Sequence, residues 1–212
     1  MANELRQERI IIPTILLPLP KLSGLVSVEQ AIANRRSVRE FSEQPLTIEQ
    51  LSQLLWSVQG ITDGKGFRAA PSAGATFPLE VFAVAGPFSV NNLPAGLFQY
   101  LPHEHGLRPL KSVDLRLKLI GVALGQQAIK QAPVSLVIAA DYERTRSRYR
   151  NRAERYVHME AGHAAQNLYL QAMALGLGTT AIGAFDESGV KELLVLPGNF
   201  DPVYILPVGQ PV

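Results

Sequence analysis

The chain has 212 residues, 47% of them hydrophobic and 18% charged, with 20 Lys and Arg against 18 Asp and Glu. That composition describes a globular protein able to bury a core, and a net charge of +2 gives no general reason to expect a nucleic-acid partner. Cysteine is absent, which excludes disulfides, thiolate nucleophiles and cysteine-held zinc or iron–sulfur centres.

The first apolar run, Ile10 to Leu19, is interrupted by Pro13 and Pro18 and follows mixed charges, so it predicts neither a signal peptide nor a membrane span. A cytoplasmic protein without membrane contact is the expectation. Residues Ile10 to Leu22 read as an extended arm lying on the body or on another subunit. The predicted organisation is an arm over residues 1–25 and one domain over residues 26–212.

Two capping boxes start the first helices. Ser27-Val28-Glu29-Gln30 predicts a helix to about Arg36, and Thr47-Ile48-Glu49-Gln50 predicts one ended by Gly60, with Leu51, Leu54, Leu55 and Val58 on one face. Between them lies Arg35-Arg36-Ser37-Val38-Arg39-Glu40-Phe41. Guanidinium groups beside a hydroxyl suit a phosphate, because planar donors bond two oxygens at once. The alternative is a solvated helix end carrying ordinary surface charge.

Gly64 to Thr76 is a loop of small residues, including Ala70-Pro71-Ser72-Ala73-Gly74-Ala75, which lets backbone approach a ligand closely. Leu79 to Ala85 predicts a buried strand, and Leu97 to Leu101 with Leu107 to Leu110 a hairpin. Ser112 is the expected cap of a helix to about Gly121, followed by a short helix over Gln126 to Gln131. Val134 to Ala140 is apolar enough for a central strand. The next segment carries Arg144, Arg146, Arg148, Arg150, Arg152 and Arg155 with Tyr149 and Tyr156; it could track a nucleic-acid backbone, or form a solvated loop and helix start that faces a small anion or nothing. Apolar and small residues from Val157 to Leu175 predict a long helix, about Glu154 to Leu175, at the centre of the fold or in a subunit interface. A short helix capped by Asp186 and a strand over Pro202 to Val208 close the chain.

Familiar catalytic patterns do not fit. Gly176-Leu177-Gly178-Thr179-Thr180-Ala181 follows a helix and precedes a strand, the reverse of a dinucleotide fingerprint. His158 and His163 stand about 140° apart around a helix and cannot share one metal, although Glu160 and His163 could if His103 or His105 supplied a further ligand. Ser72 has no base paired to it in sequence, and no nucleophile elbow occurs.

Four segments taken in order resemble the FMN-dependent nitroreductase superfamily: Arg35 to Phe41; Pro71-Ser72-Ala73-Gly74 with Phe77-Pro78; His163 to Leu168 with Gly176-Leu177-Gly178; and Ile182-Gly183-Ala184-Phe185 with Leu206-Pro207-Val208-Gly209. Gly96 to Leu107 and Arg155 to His163 are most similar to its SagB-type branch, relatives of thiazole and oxazole dehydrogenases. The resemblance implies an α+β fold with a mostly antiparallel sheet flanked by helices, and a homodimer with interface helices and two FMN molecules between the subunits.

By position, the resemblance assigns the FMN phosphate to Arg35 and Ser37, support of its ribityl end to Arg36, and the flavin N1 and C2 carbonyl edge to Arg39. Pro71, Ser72, Ala73 and Gly74 would reach the flavin from the partner subunit, while Ile182, Gly183 and Ala184 would lie by N5. Phe77, Tyr149 and Tyr156 are the expected substrate wall. The implied activity is reduction of a small organic acceptor by NAD(P)H through a ping-pong cycle on FMN, with no metal. Two other activities are compatible: azoline dehydrogenation of a modified peptide, and flavin binding without catalysis. The chain departs from many members in carrying Ala75 where they have asparagine and Gln210-Pro211-Val212 where they have a basic residue, so Arg36 or one of Arg144 to Arg155 is expected to take that last role.

Overall fold

A computed structural model describes residues 13–212. The part of the expected arm that precedes Pro13 lies outside the described residues. From Pro13 onward the arm does lie on the body. Strand β1 (Ile15–Leu16) pairs with β4 (Gly106–Lys111). His105 Nε2 lies 2.9 Å from the Pro18 carbonyl oxygen and 2.8 Å from Ser52 Oγ, and Gln53 exchanges hydrogen bonds with both backbone groups of Lys21.

Helices α1 (Val28–Asn34) and α2 (Ile48–Gln59) begin at the two expected capping boxes, complete at Ser27 and Thr47 in both directions. The sheet continues with β2 (Leu79–Ala85), β3 (Gly96–Leu101), β4, β5 (Val134–Asp141), β6 (Gly178–Thr179) and β7 (Phe200–Gly209). Its order is β1-β4-β3-β2-β5-β7-β6, every ladder antiparallel. This is the α+β architecture expected from the interleaved pattern.

Both sheet faces are covered, which is why β2 and β5 read as nearly continuous apolar runs. On one face Val81, Ala83, Leu136 and Ile138 pack with Leu51, Leu54 and Leu55 of α2 and with Val157, Ala161, Ala164 and Leu168 of α6 (Ala153–Ala174). On the other, Phe82, Val84 and Val137 meet α3 (Arg116–Val122) and α7 (Glu187–Leu194) through Leu115, Leu119, Val190 and Leu194. Each fully buried leucine contributes about 1.5–3 kcal/mol. The small residues of α6 therefore serve close packing at the fold's centre.

Two expectations require correction. Ser112 caps nothing, because β4 runs on to Lys111; α3 starts at Arg116, whose N–H donates to Asp114 Oδ1. The arginine-rich segment is not a loop but a helix, α5 (Tyr142–Tyr149), followed by a 3-10 turn at Arg150–Arg152 that leads into α6. Helix α4 (Gln127–Gln131) lies between α3 and β5 as expected.

Candidate functional site

The basic stretch begins where α1 ends, and its path is set by pairing with β6. The Val38 N–H donates to the Thr179 carbonyl at 2.9 Å, and Ser37 and Thr179 form a parallel bridge. The fit requires a glycine: a Cβ at Gly178 would lie 2.5 Å from Val38 Cγ2. The end of β7 closes alongside, with the Ser42 N–H donating to the Gln210 carbonyl and Phe41 bridging Pro211.

Tyr169, on α6, joins this stretch to the segment before Ile182. Its hydroxyl accepts from the Ala181 N–H at 2.7 Å and lies 3.2 Å from Ser37 Oγ, while the Arg35 guanidinium sits 5.2 Å from its ring centroid. Ile182 then pairs with Ile205 in both directions and turns its side chain into the core. Gly183 and Ala184 are exposed, and among the described residues neither backbone N–H has an acceptor. Sequence reasoning missed Tyr169; its only signal was its place one residue after Leu168 in the motif of the long helix.

The three arginines differ. Arg36 turns back to donate to the Ala33 and Arg35 carbonyls, closing the end of α1. Arg35 and Arg39 have no carboxylate partner among the described residues. Guanidinium groups, a hydroxyl and N–H donors without acceptors are the donor types that an anion requires.

Pro71 to Gly74 lie in another part of the chain, braced by α5 and α6. Gly74 (φ +58°), Ala75 (φ +54°) and Phe77 (φ +45°) are left-handed, a costly geometry for the two residues with side chains. Ser72 Oγ accepts from the Phe77 N–H at 2.9 Å, Thr76 and Thr145 hydroxyls meet at 2.9 Å, and Arg144 and Arg148 donate to the Phe77 and Gly74 carbonyls. Tyr149 and Tyr156, expected on a substrate wall, meet edge to face with ring centroids 4.9 Å apart. Phe77 stacks under the Arg68 guanidinium at 5.3 Å. Behind the loop stands Glu160, only 3% exposed, whose carboxyl burial pushes up to about 7 against the opposing pull of the Ser72 side chain and the Ala73 N–H. Among the described residues, no hydrogen bond joins this loop to Arg35 to Arg39 or to Ile182 to Ala184.

The histidines are dispersed. His105 holds the arm, His103 meets Arg68, His163 is exposed, and His158 Nε2 is 2.8 Å from the Tyr142 hydroxyl. Among the described residues no three metal-ligating side chains converge. The Tyr142–His158 pair, which sequence reasoning also missed, faces a polar recess of about 350 Å³ bordered by Gly183. Burial, reinforced by Asp201, Glu154 and Glu187, pushes the Tyr142 phenol up to about 12. No described helix is long and apolar enough to cross a membrane.

Comparison with known proteins agrees with this geometry. The nitroreductase family model matches residues 32–210. A protein of Methanocaldococcus jannaschii named as a nitroreductase is 40% identical, covering 94% of this chain and 98% of its own. A crystal structure described as a nitroreductase from Ralstonia eutropha superimposes with a TM-score of 0.82 at 29% identity, covering 97% of this chain and 92% of that one. The microcin B17-processing protein McbC of Escherichia coli is 28% identical over 71% of this chain and 57% of its own length. The chain belongs to the nitroreductase family and carries its oxidoreductase fold.

Proposed function

We propose that the protein is an FMN-dependent NAD(P)H oxidoreductase that reduces a small organic acceptor by a ping-pong cycle. The observation that carries this reading is the single surface on which Tyr169 gathers Arg35, Ser37 and the backbone before Ile182. That donor set fits FMN: a guanidinium and a hydroxyl for the phosphate, and the vacant Gly183 and Ala184 N–H groups for the flavin edge. When bound, FMN supplies the two-electron redox chemistry, so no protein nucleophile or metal is required.

The chain's own residues bind and orient. Arg35 and Ser37 hold the phosphate, with Arg36 supporting the same end through the turn that it closes. Arg39 offers a fixed cation where negative charge develops at N1 and the C2 carbonyl. Ile182, its side chain anchored in the core, would hold Gly183 and Ala184 where their N–H groups could donate near the flavin N5. Pro71, Ser72, Ala73 and Gly74 complete the site from a second copy, with Phe77, Tyr149 and Tyr156 on the substrate side. Homodimerisation is supported by the exposed apolar side chains Leu19, Leu22 and Leu25, which line an open groove reaching Trp56 and Leu175. On this reading residues 26–212 form one FMN-binding domain with residues 1–25 as its arm, working in the cytoplasm.

The test is spectroscopic. Purified protein should show flavin absorbance, release FMN on denaturation, and bleach under anaerobic NADH or NADPH. A colourless protein that takes up no added FMN sinks the reading. The likeness to McbC favours a second reading, azoline dehydrogenation of a modified peptide, for which bound flavin would stay oxidised with both nucleotides and bleach with an azoline peptide.

A further inference from the structure

Glu160 is a buried acid in which the family resemblance sees no role. It is 3% exposed, and its Oε1 has no hydrogen-bond partner. A carboxyl in that position is costly unless its other contacts repay it. Those contacts are the Ser72 side chain and the Ala73 N–H, both in the Pro71–Gly74 loop. The charged and titratable groups on the neighbouring elements are Tyr142, Glu143, Arg144, Arg146, Arg148 and Tyr149 of α5, Arg150 and Arg152 of the turn, and Glu154, Arg155, Tyr156, His158, His163 and Tyr169 of α6; the influences on the carboxyl are burial, Ser72 and Ala73.

The loop needs holding. Gly74 in the loop and Ala75 and Phe77 just after it are left-handed, and a Cβ at Gly74 would lie 2.7 Å from the Tyr149 hydroxyl. Helix α5 fixes its carbonyl groups through Arg144 and Arg148. Ser72 Oγ already accepts from the Phe77 N–H, so its own proton is available to an acceptor behind it. Glu160, on whose carboxyl Ser72 and Ala73 act, is the acceptor available there.

We propose that Glu160 is a positioning residue, gripping the Ser72 hydroxyl and the Ala73 N–H from behind so that the Pro71–Gly74 loop presents a fixed face to its ligand. The proposal rests on the reading of this loop as part of an FMN site. The grip belongs to the carboxylate. Protonation removes its charge, so the two donors in the loop are held more weakly.

The test measures FMN affinity by fluorescence between about pH 5.5 and about pH 8.5 for the wild type, Glu160→Gln, Ser72→Ala and the double variant. The ratio of each variant's dissociation constant to the wild type's cancels the ionisation of FMN itself. For Glu160→Gln it should be about 10 at the alkaline end and about 1 at the acid end. The double variant should bind no more weakly than the weaker single one. Should Glu160→Gln fail to fold, the Ser72→Ala ratio must still rise with pH. A pH-independent ratio, or additive losses, overturns the role of Glu160 while leaving the FMN reading intact. A wild type that takes up no FMN overturns both.

Discussion

The Tyr169 hydroxyl lies 3.2 Å from Ser37 Oγ, across 132 positions of sequence, while accepting from the Ala181 N–H at 2.7 Å. Either hydroxyl can donate across that contact, and when the phenol donates, the serine's own proton is left for a ligand. Tyr169→Phe removes both bonds. The expected cost is about 1–2 kcal/mol in urea denaturation, with FMN binding weakened about tenfold. Unchanged affinity would show that Tyr169 only braces the fold.

Arg35 and Arg36 are adjacent but unequal. Arg36 spends one guanidinium nitrogen on the Ala33 and Arg35 carbonyls, whereas Arg35 lies over the Tyr169 ring with no carboxylate partner among the described residues. Arg35→Ala combined with Ser37→Ala should weaken FMN binding by about 100-fold, the loss of two phosphate contacts. Arg36→Ala should weaken it by less than about tenfold while costing about 0.5–1 kcal/mol of stability. Flavin titration and denaturation of the wild type and these two variants separate the roles; a loss of affinity from Arg36→Ala as large as that from the double variant would contradict this assignment.

The approach of the basic stretch to β6 depends on one missing methyl. Gly178→Ala places a Cβ against Val38, and overpacking of this kind costs about 1–3 kcal/mol. Val38→Ala alone should be mildly destabilising. In combination the two should recover part of the loss, because the smaller side chain makes room. Denaturation midpoints of the four proteins form the cycle, and simple additivity would place the strain elsewhere.

Most elements were legible because their signals are local. The capping boxes at Ser27 and Thr47 bracket a few residues, and the packing of β2 and β5 on both faces leaves nearly continuous apolar runs. Helix α5 was not legible, because it has only one buried residue, Thr145, and no apolar stripe. It is held by the Asp141 cap and by long-range bonds such as Arg144 to Glu80 at 2.9 Å. The site divides in the same way. The roles proposed for Arg35 to Arg39 and Ile182 to Ala184 come from residue type and order, whereas those proposed for Tyr169 and Glu160 depend on groups that only the folded chain brings near. Glu160 read as a conceivable metal ligand with His163, yet it is buried behind the Ser72 loop while His163 is exposed.

Burial of Glu160 also has a consequence for stability. Its carboxyl is pushed from 4.5 up to about 7 in the folded protein. Between those values the folded state binds the proton more tightly than the unfolded chain, so the stabilisation is full below about pH 4.5 and is lost as pH rises through about 7. Glu160→Gln keeps the shape and stays neutral, so it lacks this component. The stability difference between variant and wild type should therefore shift in the variant's favour by on the order of 2 kcal/mol between about pH 5 and about pH 8. Urea denaturation at the two pH values measures it, and parallel behaviour of the two proteins would show that Glu160 does not titrate in this range. The direction is opposite to that expected for FMN affinity, where the carboxylate is the better grip. A fold that is less stable with Glu160 ionised but binds its ligand more tightly is the signature of a residue kept for the site and not for the core.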